Sequence, residues 1–159
     1  MERYPRGWAQ AQRRGWSETL VFFSASNWTW RVRGLFHTLL NMPTHTALES
    51  HPKVGASWEG FVLGEVITRL GVYPEECFFW ATHGGAELDL LVVCGTQRWG
   101  FECKRTAAPR LTRSMRAALA DLHLERLDVI HAGEHTFALA DTVRAVALRR
   151  LFEDLRPLR

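Results

Sequence analysis

Apolar and polar positions alternate along this chain with two distinct periods. Between residues 77 and 105 three runs, CFFWATH at 77–83, ELDLLVV at 87–93 and RWGFECKR at 98–105, are short, rich in β-branched and aromatic residues, and separated by glycine-containing turns. That pattern predicts three consecutive strands in an antiparallel meander. Before the meander the period lengthens to that of a helix. In SWEGFVLGEVITRL, residues 57–70, the positions Glu59, Val62, Leu63, Val66 and Leu70 fall on one stripe, with Ser57 as N-cap and Gly71 as stop. After the meander, Pro109 and the candidate caps Thr112 and Ser114 introduce a helix to about Leu122. LDVIHA, 127–132, then reads as a strand and 142–155 as a closing helix. The order helix, three strands, helix, strand, helix predicts a mixed α/β sandwich rather than a bundle or barrel.

Upstream the signal is weaker. Residues 1–30 are rich in Trp and Arg and lack a clean period, apart from a strand expected near 19–23; 31–41 reads as a helix, and 42–55, with Pro43, Pro52 and Gly55, as a loop. The expected organisation is therefore an N-terminal segment, 1–33, and one domain, 34–159. A chain of 159 residues with 47% apolar composition supports a single core. The balance of 20 basic against 17 acidic residues permits a phosphate-bearing partner without requiring one. Three cysteines, Cys77, Cys94 and Cys103, without CxxC spacing, read as reduced thiols. No apolar run approaches the length of a signal-peptide core or a membrane span, so a cytoplasmic protein without membrane contact is expected. No GxxxxGK[ST] loop is present, so no ATP site of the P-loop kind is expected in this chain.

The middle of the meander carries the chemistry. Strict alternation places Glu87, Asp89 and Leu91 on one face and Leu88, Leu90 and Val92 on the other, while Glu102 and Lys104 oppose Phe101 and Cys103. A two-residue turn at Gly95-Thr96 pairs Cys94 with Gln97, and counting back sets Asp89 opposite Glu102 and Glu87 opposite Lys104. Two carboxylates side by side repel, and a divalent cation with hard oxygen ligands relieves that conflict. Lys104 would then hold or deprotonate a water, or balance phosphate charge. The hairpin alone favours a plainer reading, a Glu87–Lys104 ion pair on a wet face, with Asp89 and Glu102 solvated and the register shifted by a bulge. Glu59 adds weight to the first, because an acid on an apolar stripe needs a partner. Glu65 lies on the polar side of the same helix and reads as a surface acid.

Leu88-Asp89, the apolar strand ending Glu102-Cys103-Lys104, and an acid on the preceding helix together resemble the PD-(D/E)XK nuclease superfamily, which includes Holliday-junction resolvases and many restriction endonucleases. More closely, HPKVGASWEGFVL, FFWATHGGAELDLLVV, FECKRTAAPRLTRSM and LERLDVIHAGEHTFAL, within residues 34–151, are similar to the C-terminal domain of unknown function of prokaryotic AAA-type ATP-binding proteins. The resemblance implies a restriction-endonuclease-like fold, a central mixed sheet with an antiparallel meander flanked by helices. It also implies Glu59, Asp89, Glu102 and Lys104 as the catalytic group, with Glu59, Asp89 and Glu102 as ligands of Mg²⁺ or Mn²⁺. Leu88 stands where the motif has proline. The partners implied are DNA and an ATPase domain or protein. Two functions follow as expectations: metal-dependent hydrolysis of DNA phosphodiester bonds, or a catalytically silent accessory module that binds DNA or docks an ATPase partner.

The basic run KRTAAPRLTRSMRAAL places Arg105, Arg110, Arg113 and Arg116 just after the carboxylates, where they could track a phosphate backbone. An ordinary solvated helix start fits the same residues. The histidines of HAGEH, His131 and His135, enclose Gly133 and do not suit helical zinc geometry, so loop or surface positions are expected. Trp58 and Trp80 are expected to pack rather than stack on bases.

Overall fold

The computed structural model describes residues 20–24 and 54–159. The helix 31–41 and most of the loop 42–55 expected from the sequence lie outside the described residues. Helix α1, Val54–Leu70, begins three residues before the expected Ser57 and ends as expected at Gly71, whose φ of +67° lies in the left-handed region that glycine tolerates. Its stripe Val62, Leu63, Val66 and Leu70 is buried. The meander follows as β2, Cys77–Thr82, β3, Glu87–Cys94, and β4, Gln97–Lys104. A strand near 19–23 is present as β1, Leu20–Ser24, and it pairs antiparallel with β2. Helix α2, Arg113–Asp121, is capped by Thr112, whose side chain accepts the Met115 N–H, and it leads to β5, Arg126–His131.

The end of the chain departs from expectation. Residues 142–155 do not form one helix. A short strand β6, Phe137–Ala140, turns back into β7, Val143–Ala147, followed by a 3-10 turn at Leu148–Arg150 and a single helical turn α3, Leu151–Asp154. The reason is burial: Val143, Ala145, Val146 and Ala147 are all buried because β7 lies inside the sheet beside β5. A strand covered on both faces shows no period of two, and Ala and Leu then mimic a helix.

The described strands form one seven-stranded mixed sheet in the order β1-β2-β3-β4-β5-β7-β6. β1 to β4 run antiparallel in succession, β4 pairs parallel with β5 through the α2 crossover, β5 pairs parallel with β7, and β6 closes the edge antiparallel. One core lies between the sheet and α1 with Leu151 and Leu155, built on Leu90, Val92, Phe101, Cys103, Ile130 and Val146. The other lies under α2, where Met115, Ala118 and Leu122 meet Phe78, Trp80, Leu88, Leu91, Val129 and Val143. Trp80 is fully buried and Trp58 packs against the first core, as expected of packing aromatics. Cys77, Cys94 and Cys103 are free thiols. Among the described residues no helix is long and apolar enough to cross a membrane.

Two polar devices lock this sandwich. Asp128 is fully buried and takes a bidentate Arg144, with Nε and Nη2 each at 2.9 Å, while Arg126 approaches at 3.1 Å and lies 3.9 Å from the Trp99 ring centroid. The second device joins α1 to the last part of the chain. Arg69 donates to the carbonyls of Leu155, at 2.7 Å, and Phe152, at 2.6 Å, and the Leu158 N–H donates to the Leu70 carbonyl at 3.0 Å.

Asp128→Ala leaves two guanidinium groups without their buried counter-charge and should lower the unfolding free energy by about 3–5 kcal/mol in urea denaturation. Glu134→Ala, which breaks the exposed pair with Arg149, should cost within about 1 kcal/mol. Equal losses in the two variants would show that the buried cluster does not hold the β5–β7 layer.

Candidate functional site

The β3–β4 hairpin turns as its sequence predicts: Cys94 pairs with Gln97 and Gly95 has φ +62°. The ladder then follows the expected count through Val92↔Trp99 to Leu90↔Phe101, and there it stops. Two causes meet at this point. From Glu102 to Lys104, β4 is paired with Val129 to His131 of β5. On the other side of β3, Leu91 pairs with Phe78 but Leu88 pairs with Trp80, so Asp89 and Leu90 together face the single residue Phe79. This is a β-bulge, an extra residue that bends its strand away from its neighbour. The bulge also corrects the strict alternation expected of β3: Leu88 joins the α2 core with Leu91, while Leu90 and Val92 join the α1 core.

Side chains occupy the split between the parting strands. Asp89 Oδ2 accepts the Cys103 N–H at 2.7 Å, standing in for the missing ladder bond. Glu102 is buried, its Oε1 takes Lys104 Nζ at 2.6 Å, and its Oε2 is buried with no hydrogen-bond donor among the described residues. Burial is the largest cause that lifts the Glu102 pKa to about 7; the charge of Asp89 adds to it, and Lys104 with the Asp89 N–H opposes it. Burial likewise raises Asp89, against the pull of the Cys103 N–H and Lys104. Burial works to lower Lys104, but the Glu102 hydrogen bond and the charges of Glu102, Asp89 and Glu59 outweigh it and raise its pKa.

The structure therefore brings Asp89, Glu102 and Lys104 together. The alternative Glu87–Lys104 pair is not what forms, since Lys104 binds Glu102 and the backbone of Glu87 is held by Ser114. Glu59 differs from expectation. It is exposed rather than buried with its stripe, because its turn of α1 lies over the end of β4, where its carbonyl stands 3.9 Å from Cys103 Sγ. Its charge still reaches the site: it adds to burial and to the charges of Asp89 and Glu102 in raising Cys103, and it helps to raise Lys104. Among the described residues no three His, Cys, Asp or Glu side chains are grouped as a metal would need. Arg105, Arg110, Arg113 and Arg116 are all exposed, on the loop after β4 and the first turns of α2.

His131 also corrects its expected surface position. It is buried at the end of β5, register partner of Lys104, with Nδ1 accepting the Gly133 N–H and Nε2 donating to the His135 carbonyl, both at 3.1 Å. Burial lowers its pKa. Ser114 was legible only as a spare helix cap. Two candidate caps, Thr112 and Ser114, stand where one suffices, and the surplus hydroxyl is the one that reaches β3.

Glu102 ionises less readily in the folded protein than in the unfolded chain. Its contribution to stability is complete below its ordinary value of 4.5 and is lost as pH rises through about 7. With metal chelated, the melting temperature of the wild type relative to Glu102→Gln should therefore fall between about pH 5 and about pH 8. The groups facing Glu102 are Asp89 and Lys104. A constant difference across this range would show that Glu102 is ionised in the fold at no cost.

The unit that carries this site is matched elsewhere. The chain is 50% identical over 116 residues to two uncharacterized proteins, Mb2031c of Mycobacterium bovis and Rv2008c of Mycobacterium tuberculosis. The match covers 73% of this chain and 26% of each relative, so the chain spans about a quarter of the length of these relatives. No solved structure matches it significantly. Residues 54–151, from the first residue of the helix above β4 to the first residue of α3, match the family described as Domain of unknown function (DUF4143), and the chain belongs to that family.

Proposed function

We propose that this chain is a PD-(D/E)XK-type nuclease domain that hydrolyses DNA phosphodiester bonds with Mg²⁺ or Mn²⁺. The observation that carries the reading is Glu102: a buried carboxylate with one oxygen unpartnered among the described residues, beside the second acid Asp89 and a lysine. Such a pair is poorly satisfied by protein groups alone, and hard cations are held by one or two carboxylates with water and phosphate oxygens. Asp89 and Glu102 would hold the ion, with Glu59 at the rim. A bound ion supplies a more acidic water and charge stabilisation on phosphate. Lys104, half-buried with Nζ on Glu102, would orient the water or balance developing charge. The exposed Arg105, Arg110, Arg113 and Arg116 would position the phosphate backbone without reading bases. The mixed sheet, with its meander and parallel β4–β5 pair, is compatible with the fold that the resemblance implies.

A second reading, a silent accessory module that binds DNA or docks an ATPase partner, is favoured by the lack of a third grouped ligand among the described residues. The far greater length of the mycobacterial relatives leaves room for such a partner domain.

Labelled duplex, single-stranded and branched DNA should be cut by the wild type with Mg²⁺ or Mn²⁺ and not with EDTA, and Asp89→Ala should lower the rate by about 100-fold or more. No cleavage of any form by the wild type sinks the nuclease reading. Independently, replacing Arg113 and Arg116 with Ala should weaken DNA binding across sequences and reduce the slope of log affinity against log salt by about 2. If DNA binding persists without cleavage, the silent DNA-binding module stands. If neither is seen, docking to a partner protein becomes the better reading.

A further inference from the structure

We propose that Ser114 is the positioning residue of the carboxylate site, holding the start of β3 so that Asp89 meets the Cys103 N–H, and thereby registering the arginine face of α2 against the carboxylates. Its chemical importance rests on the nuclease reading; its positioning role does not.

Ser114 Oγ accepts the Glu87 N–H at 2.6 Å and donates to the Glu87 carbonyl at 2.7 Å. Both backbone groups of one strand residue are thus taken by one hydroxyl, the double bond that a neighbouring strand would otherwise make. The reason is local. β4 has left β3 after Leu90↔Phe101, so Glu87 has no partner residue on β4. Ser114 comes from the first turn of α2, whose N-cap is already supplied by Thr112, so its hydroxyl is not needed to finish the helix.

Glu87 lies two residues before Asp89 on the strand that the bulge bends. Without the clamp, the segment from Glu87 to Asp89 is left on this side with its ties to β4 at Asp89 alone, the bond from Cys103 N to Asp89 Oδ2 and the Asp89 N–H on Glu102. The clamp therefore fixes the strand on which Asp89 sits. Arg113 immediately precedes Ser114 and Arg116 follows two residues later, both exposed. A polyanion resting on them would lie on the same helical turn that grips the carboxylate strand.

Amide hydrogen exchange resolved by residue tests this, because the Cys103 N–H reports its bond to Asp89. In Ser114→Ala, exchange at Cys103 should rise by about tenfold while Ile130, in the core strand β5, stays as in the wild type. Ser114→Thr, which keeps the hydroxyl, should restore protection at Cys103. Unchanged exchange at Cys103 in Ser114→Ala overturns the proposal. So does a rise shared equally by Cys103 and Ile130, or a Thr variant that behaves like Ala, since each marks general packing rather than the clamp. Calorimetric titration with Mn²⁺ adds the link to chemistry: about tenfold weaker binding in Ser114→Ala, restored in Ser114→Thr, supports both readings. Absence of Mn²⁺ binding by the wild type overturns the nuclease reading alone, and the exchange comparison still decides for or against Ser114.

Discussion

β4 has to satisfy two neighbours that run in opposite senses. From Gln97 to Phe101 it is paired antiparallel with β3, and from Trp99 to Lys104 it is paired parallel with β5. A strand can hold both partners only while all three stay in register. Once the bulge at Asp89 and Leu90 turns β3 aside, β4 continues with β5 and a wedge opens between β3 and β4. Asp89, Glu102, Lys104 and the Ser114 hydroxyl lie along that wedge. It interrupts the backbone ladder, so buried N–H and C=O groups must find side chains.

The side chains that fill the wedge are of two kinds. Asp89 and Ser114 take up backbone groups, at Cys103 and Glu87 respectively, and so are satisfied by structure. Glu102 takes Lys104 on Oε1 and leaves Oε2 without a hydrogen-bond partner among the described residues. Burial raises both carboxylates, but of the two only Glu102 leaves a buried oxygen without a hydrogen-bond partner among the described residues. Asp128 offers the contrast within the same sheet: buried as well, its two oxygens are each taken by a hydrogen bond from Arg144, with Arg126 close by. Burial alone does not mark an acid as a candidate for chemistry; burial with unused bonding capacity does.

Much of this was legible in the sequence because it is local. The Gly95-Thr96 turn fixes the hairpin register as far as Leu90↔Phe101, one step short of the expected pairing of Asp89 with Glu102. The stripe of α1 and the Thr112 cap are likewise set by residues close in sequence. What could not be read was long-range. The bulge depends on how β3 meets Phe79 of β2, and no residue in ELDLLVV marks it. β7 is a strand because it inserts beside β5, although Ala145, Ala147 and Leu148 favour a helix in isolation. Helical spacing sets Glu59 in line with Val62, Leu63 and Val66, but the burial of that line stops short of Glu59, whose side chain is exposed.

The ties from Arg69 to Leu155 and Phe152 span 86 and 83 residues of sequence. During synthesis, α1 leaves the ribosome well before the carbonyls that fasten its C-terminal end have been made, and at about 5–20 residues per second that interval is several seconds. Until then its apolar stripe has β-strands to rest on but no anchor at Arg69. A nascent chain stalled between β4 and β7 would thus have its hairpin complete and its acids close together, with the helix above them still free to slide. In that interval the chain's vulnerability to proteases and to wrong partners would centre on α1, and synthesis of the segment from Phe152 to Leu155 would end it.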